Sequence, residues 1–475
     1  MRHHDHRRSR HGQVGVRAVT IVSFLAAVLG VSVVLGLPVA VHPTLRHLSL
    51  LARLSLAWAA GSLILTTILT ALSAIGLEWA LWFVLLACVS AIAITSWMIR
   101  ETRSAKSGPP HATRFGLSLW TLCFTLIAGG GLYAYVIGMA TSADLSYFWG
   151  VKAVHFALER GIDFELLQQP YMIHLHPNYP PLWPVLLAWG AIVAQPMPWI
   201  AIPSLTWVCL TAAAAVIFSV LETRLGPHVA AAVSCLWYAV LSTTMVSSFS
   251  GGNADGPLVF FLSVALVVIL TEAEDESRHL RWLAAVALAG AVFTKSEGAV
   301  AAALIVAGTA ARDLVWRRPG VLRQTVSLIA PAAATAVFWF VVRIAHGLPL
   351  TDPIRETVFH FSFDHVGLIM RVCIRFLTTG VVAVGWLAPL ISVVVAGRNR
   401  MTRALPGVVT ALGILVFAFV YYLHAVGDPL ELVVWTFPRL IQPALSAWIL
   451  SLGVASFSVA GRRNPGTVLG RDAIQ

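Results

Sequence analysis

Five ionisable residues sit against the apolar stretches of this chain: Asp144, Asp255, Lys295, Glu297 and Arg439. Charged groups at membrane depth cost several kcal/mol unless they pair or face water, so each one invites a functional explanation. Asp144 follows the apolar run 115–140 and opens a polar loop. A carboxylate at such a boundary can take the proton of a hydroxyl nucleophile; the plainer reading, compatible with the first, is a helix N-cap. SFSGGNADGPLVFF (248–261) sets Asn253 and Asp255 just before another apolar run, where a turn or cap is the simpler explanation. FTKSEG (293–298) breaks an apolar stretch with Lys295 and Glu297, which as a bare pair would do no more than close a hairpin tip. WTFPRLIQPALSAW (435–448) brings Arg439 to the start of the last run. Together, two aspartates, a lysine and an arginine suit the handling of a lipid phosphate, which Lys and Arg bind and stabilise as it leaves.

Beside them lies HLHPNYPPLWPVLLAW (174–189), where His174, His176, Asn178 and Tyr179 crowd a Pro-Pro step that starts an apolar run. An interfacial cap without a ligand explains the histidines as well as a binding role does. No third ligand stands near enough for a His-x-His zinc site. Upstream, 145–160 reads as an amphipathic surface helix, with Phe148, Val151, Val154 and Leu158 on one stripe and Lys152, His155 and Glu159 on the other side.

The elements that must position these residues are membrane helices. The chain has 475 residues, 58% hydrophobic and 11% charged, where soluble proteins carry about 25% charged residues. The sequence therefore predicts an all-α, polytopic membrane protein. Apolar runs at about 16–41, 51–73, 78–99, 115–140, 180–195, 199–221, 227–247, 257–271, 282–294, 298–311, 325–345, 374–396, 405–424 and 439–460 predict roughly 11–14 transmembrane helices. The basic segments 100–114, 312–323, 397–403 and 461–463 mark the cytoplasmic side, so loops 141–178, 346–372 and 425–438 face outward. Two features resist this scheme. Three spans before residue 100 put the basic N-terminus outside. Three full crossings between 180 and 247 put 248–256 inside, away from the other candidate residues. The prolines at 184, 196, 198 and 203 suggest that one piece is re-entrant.

The net charge of +11 comes from short Lys/Arg clusters between apolar runs, and no nucleic-acid-binding motif accompanies it. The five cysteines are odd in number, lie in or at the end of apolar runs and form no CxxC, so neither a disulfide framework nor a zinc site is expected. The start, MRHHDHRRSRHGQVGVR, precedes about 25 apolar residues and reads as a solvated tail before a retained helix.

The order of these pieces resembles a family. An aspartate after an early span, FWGVKA, HPNYPPL, NADGPLVFF, TKSEG and a late PRLIQP, over roughly 115–445, are similar to the GT-C superfamily of integral-membrane glycosyltransferases. The bacterial branch akin to protein O-mannosyltransferases and aminoarabinose lipid A transferases is the nearest in pattern. The resemblance implies a polyprenyl-phosphate sugar donor, used on the outer face of the cytoplasmic (inner) membrane, and a lipid, glycan or protein acceptor. It implies Asp144 as the catalytic base for inverting transfer. Lys295 and Arg439 would contact the departing phosphate, and Asp255 would be a second acid for positioning or metal. His176 and Tyr179 would line the entrance. Lys152 and Glu297 join the substrate-binding set. No cofactor is assigned; a divalent metal is compatible, with Asp255 as its one candidate ligand.

The match has departures. Asp144 lacks the acidic neighbour that many relatives carry, and no sizeable soluble domain follows the last span, which leaves acceptor recognition to loops such as 346–372. The implied organisation is an N-terminal part (1–114), a GT-C-like catalytic module (115–345) containing loop 141–178, and C-terminal helices (346–475). Two alternatives stay open. An O-antigen ligase or polymerase would use late-loop arginines and histidines (Arg355, His360, His365, Arg371, Arg375), and a secondary transporter or lipid flippase would show symmetry between halves, which the sequence lacks.

Overall fold

The structure, a computed structural model, describes residues 18–104, 129, 142–272, 280–350, 366–396, 398–423 and 429–457. The histidine-rich tail, most of the run 115–140, residues 105–114 of the basic linker, Cys123, and Arg355, His360 and His365 lie outside the described residues. What is described is helical throughout, with no strand.

The helices that matter are α1 (Ala18–Leu35), α2 (Leu50–Ala74), α3 (Leu81–Ser104), α4 (Gly150–Glu159), α5 (Leu182–Ala194), α6 (Ile202–Leu225), α7 (Pro227–Ser247) and α8 (Asp255–Leu270). They continue with α9 (Arg281–Thr294), α10 (Ser296–Val315), α11 (Val321–Ala345), α12 (Val366–Leu377), α13 (Gly380–Ala396), α14 (Arg398–Leu423) and α15 (Pro429–Phe457). Eight helices among the described residues are long and apolar enough to cross a bilayer, nine if the bent pair α12–α13 makes one span. The chain is a multi-pass helical membrane protein.

The count among the described residues is lower than the expected 11–14, partly because run 115–140 lies mostly outside them and partly because some apolar runs form short helices. The runs at 180–195, 257–271 and 282–294 fold into helices of 13, 16 and 14 residues. These are shorter than the roughly 20 residues a crossing needs. They are largely apolar and largely buried, α8 on every side, as the centre of a bundle demands.

Contacts show which end each helix turns to the candidate residues. Ser49, ahead of α2, donates its N–H to Ser219 Oγ late in α6 (2.8 Å). Ala74, at the other end of α2, accepts from His346 just past α11 (3.2 Å), and Trp339 of α11 donates to the Asn178 carbonyl (3.2 Å). One end of the bundle thus gathers 142–181, 248–256, 295–298 and the ends of α2 and α11. The start of α1 lies at this end too, because Gly61 of α2 packs on Ser32 and Gly36 packs on Ala57, which makes α1 antiparallel to α2.

The conflict over 248–256 is resolved by α5, which does not cross. Trp183 at its start donates to the Gly252 carbonyl (2.9 Å), and Thr206 at the start of α6 accepts the Gly252 N–H (2.9 Å). Trp199, between the two helices, lies against Gly150 of α4. Both flanks of α5 therefore reach the same end, and α6 and α7 make one out-and-back pair that delivers 248–256 beside 142–178.

Candidate active site

The turn before α8 is built to hold one carboxylate. Gly252 adopts a positive φ of 84°, open to glycine, and is pinned by Thr206 and Trp183. Asn253 then orients Asp255 twice: its Oδ1 accepts the Asp255 N–H (3.0 Å) and its Nδ2 donates to Asp255 Oδ2 (2.7 Å). Asn253 thus closes the turn ahead of α8, and Asp255 is what that turn positions.

Lys295 stands at the break between α9 and α10 with an extended backbone, which lets its side chain leave both helices. Its Nζ reaches Asp255 Oδ1 at 2.9 Å and Glu297 Oε1 at 3.3 Å. The Lys–Glu pairing anticipated at a hairpin tip is real, but Asp255 is the nearer partner. Glu297 Oε2 is buried with no hydrogen-bond partner.

Arg439 lies in α15 between Pro438 and Pro443. Its Nε donates to Asp255 Oδ2 (2.9 Å), and its Nη2 meets Asp144 Oδ2 at 2.6 Å. One turn on, Gln442 Nε2 donates to Ser248 and Ser250 (3.0 and 3.2 Å), fastening the Asp255 turn to the same face of α15. The spacing in PRLIQP therefore places a guanidinium and an amide three residues apart on one helical face.

Asp144 makes no side-chain cap bond. Its backbone N–H is taken by Ser142 Oγ (3.1 Å), and its carboxylate, 34% exposed, is spent on Arg439. The N-cap reading is thereby set aside. Arg439 is a fork between two carboxylates from distant parts of the chain, a geometry that a guanidinium meets and an ammonium does not.

The cleft at this cluster is lined by Asp255, Lys295, Glu297 and Arg439 on its charged side, and by Ile414, Phe417 and others on its apolar side. Its free space is about 20 Å³, room for about one water. Three carboxylates (Asp144, Asp255, Glu297) face two cations (Lys295, Arg439), so the cations are satisfied by the protein itself.

The surface helix corrects the sequence reading by one position. A wide π-helical turn over Leu145–Trp149 precedes α4, and its extra residue rotates α4 about its own axis. The buried face is Phe148, Trp149, Lys152, Ala153 and Phe156, whereas Leu158 is exposed. Lys152 is thus on the inner side, only 2% exposed, not on the polar side. Its Nζ lies 4.3 Å above Phe148 and 5.0 Å above Trp149, and donates to the His176 carbonyl at 3.4 Å. Burial pushes its amine well below the usual lysine range.

His176 adopts a positive φ of 48°. Its carbonyl also accepts the Tyr179 N–H (3.0 Å), and its ring stacks on Tyr179 at 4.9 Å. Tyr179 in turn lies within electrostatic reach of Lys295. The polar knot is therefore a folded aromatic wall that backs the charged cluster. His174 is exposed and bonded to the Tyr171 carbonyl (3.2 Å).

The structure brings together Asp144, Asp255, Lys295, Glu297 and Arg439, sets Tyr179 and His176 beside them, and puts Lys152 behind the wall. Sequence reasoning missed the roles of Ser142 and Thr206; both are small polar residues near helix starts, and their contacts with Gly251 and Gly252 appear only in three dimensions. For a metal, both Asp255 oxygens already have Lys295, Arg439 and Asn253 as partners, and among the described residues no three His, Cys, Asp or Glu side chains converge. The chain matches no known family model, no characterised protein and no solved structure.

Proposed function

We propose that this protein is a GT-C-like membrane glycosyltransferase, which moves a sugar from a polyprenyl-phosphate donor to an acceptor hydroxyl on the outer face of the cytoplasmic membrane. The observation that carries the reading is the Arg439 fork, with Asp144 on one nitrogen, Asp255 on another, and Lys295 on the opposite oxygen of Asp255. The outer-face assignment is supported by the end opposite the cluster, where Arg281, Arg312 and Arg318 gather beside Arg317.

In this reading the donor phosphate competes with the carboxylates for Arg439 and Lys295. Once Arg439 turns to the phosphate, Asp144 is released to accept the proton of the acceptor hydroxyl. The hydroxyl oxygen bonds to the anomeric carbon as the bond from that carbon to the phosphate oxygen breaks. The electron pair leaves with the phosphate, whose growing charge Lys295 and Arg439 neutralise. Asp255 holds the two cations in place. The apolar wall of Ile414 and Phe417 suits a hydrocarbon tail beside a phosphate head.

The test is transfer or hydrolysis of a panel of polyprenyl-phosphate sugars by protein in nanodiscs, with membrane extract as a source of acceptor and released polyprenyl phosphate read by mass spectrometry. Asp144→Asn is expected to lose about 10²- to 10⁴-fold in turnover with an unchanged melting temperature. If the wild type neither binds nor cleaves any donor, the glycosyltransferase reading is wrong and a transporter becomes the better account.

A further inference from the structure

α12 stands apart from the other helices in both direction and surface. It makes an angle of 81° with the start of α13, so it lies nearly flat against the end of the bundle. This is the end that holds the charged cluster. Phe376 of α12 packs on Phe437, two residues before Arg439 (6.0 Å between rings), and Tyr422 is within electrostatic reach of both Cys373 and Arg439.

Around the helix, three faces can be distinguished, with Leu368 also exposed beside the arginines. Ile369 and Cys373 are buried against the bundle. Met370 and Ile374 are exposed on one flank. Arg371 and Arg375, four residues apart, are exposed together on the other flank. Arg371 Nε bonds only to the carbonyl of Gly367, its own preceding turn (3.2 Å), and neither arginine makes an ion pair among the described residues. A helix lying flat with an apolar flank, a cationic flank and no counter-charge among the described residues has the disposition of an interfacial helix that meets acyl chains on one side and headgroup phosphates on the other.

We infer that Arg371 and Arg375 of α12 form a docking surface for the anionic phospholipid headgroups of the leaflet at the mouth of the charged cleft. The partner is a membrane lipid, not the donor, and the inference stands whether or not the glycosyltransferase reading does. Charge complementarity argues for this occupant. The two guanidiniums are spaced to share phosphates, and Met370 and Ile374 beside them would be costly to leave in water.

The test is hydrogen–deuterium exchange of the full chain in nanodiscs of phosphatidylglycerol and of phosphatidylcholine, read on the peptide covering 366–377. Phosphatidylglycerol is expected to slow exchange there roughly tenfold relative to phosphatidylcholine, a size two surface arginines can supply. The double variant R371Q/R375Q should abolish the difference, and R371K/R375K should retain it. Protection at α2 and α6 reports whether the variants fold. Equal exchange of the wild-type peptide in both lipids would overturn the proposal, even if the glutamine variant failed to fold. So would a difference that survives in a folded R371Q/R375Q protein. If 10 mM inorganic phosphate in phosphatidylcholine discs gives the same slowing, the surface is a free-phosphate site and the lipid assignment is wrong.

Discussion

The antiparallel pair α8 and α9 carries a buried ion network at each end, and the two networks differ in kind. At one end Asp255 and Lys295 meet Arg439, Asp144 and Glu297. At the other, Glu272 and Asp313 are gripped by Arg281, Arg312 and Arg318. Arg281 binds Glu272 with two nitrogens (2.9 and 2.8 Å) and Asp313 at 2.7 Å; Arg312 also takes the Ile269 carbonyl that ends α8 (2.6 Å). Trp316 covers the guanidiniums of Arg312 and Arg318 at 4.9 and 4.6 Å. No side chain in this second network is more than 8% exposed. In the first, Asp144 is 34% and Glu297 20% exposed, and Glu297 keeps a buried, unpartnered oxygen at a cleft with room for about one water. The chemistry of the groups is the same, and what separates a clasp from a candidate site is how many of their bonds are already made and whether anything can reach the rest.

That contrast is sharpest in stability. Asp313→Asn removes the charge that Arg281, Arg312 and Arg318 share, and breaking a buried pair in this way costs about 3–5 kcal/mol. A folded fraction measured by denaturant or heat should fall accordingly, whereas Asp144→Asn at the other end should leave it nearly unchanged. Equal losses at both ends would erase the distinction. A smaller effect is expected at Arg439→Lys. An ammonium lacks the fork that joins Asp144 to Asp255, so one carboxylate loses its partner, at about 1–3 kcal/mol. The melting temperature should drop less than with Asp313→Asn, and Asp144 should become more accessible to carboxyl-modifying reagents.

The smallest effect concerns Lys152 and pH. Its amine titrates well below the 10.5 of a free lysine when folded, so between the folded value and 10.5 the unfolded chain binds the extra proton. Stability from this group therefore rises with pH across that window and is lost as pH falls through the folded value. Lys152→Met should flatten that slope in melting temperature against pH. An unchanged slope would mean that Lys152 is not the neutral, buried amine its surroundings imply.

Much of the candidate site was legible because membrane depth makes charge conspicuous. Asp255, Lys295, Glu297 and Arg439 each interrupt an apolar run, and the structure brings all of them together with Asp144. The opposite network was not legible as a network. Arg312, Arg317 and Arg318 read as one more basic loop, because nothing in a linear string shows that Glu272 and Arg281 fold back on them. The sequence sets Lys152 on the polar side because Val151, Val154 and Leu158 outline an apolar stripe away from it, whereas the structure buries Trp149, Ala153 and Phe156 and takes Lys152 in with them. The helical, membrane-spanning class was plain from composition. The number of spans was not, because an apolar run of 13–16 residues looks the same in sequence whether it crosses, turns back like α5, or sits enclosed like α8.

The shortness of α8 and α9 also sets a depth. At 16 and 14 residues they measure about 24 and 21 Å, against a hydrocarbon core of about 30 Å. The clasp and the cleft are thus closer together than the two surfaces of the bilayer, and with the clasp near one surface the cleft lies several ångströms beneath the other. A headgroup in the adjoining leaflet would have to sink to meet Arg439, and water would have to follow it down.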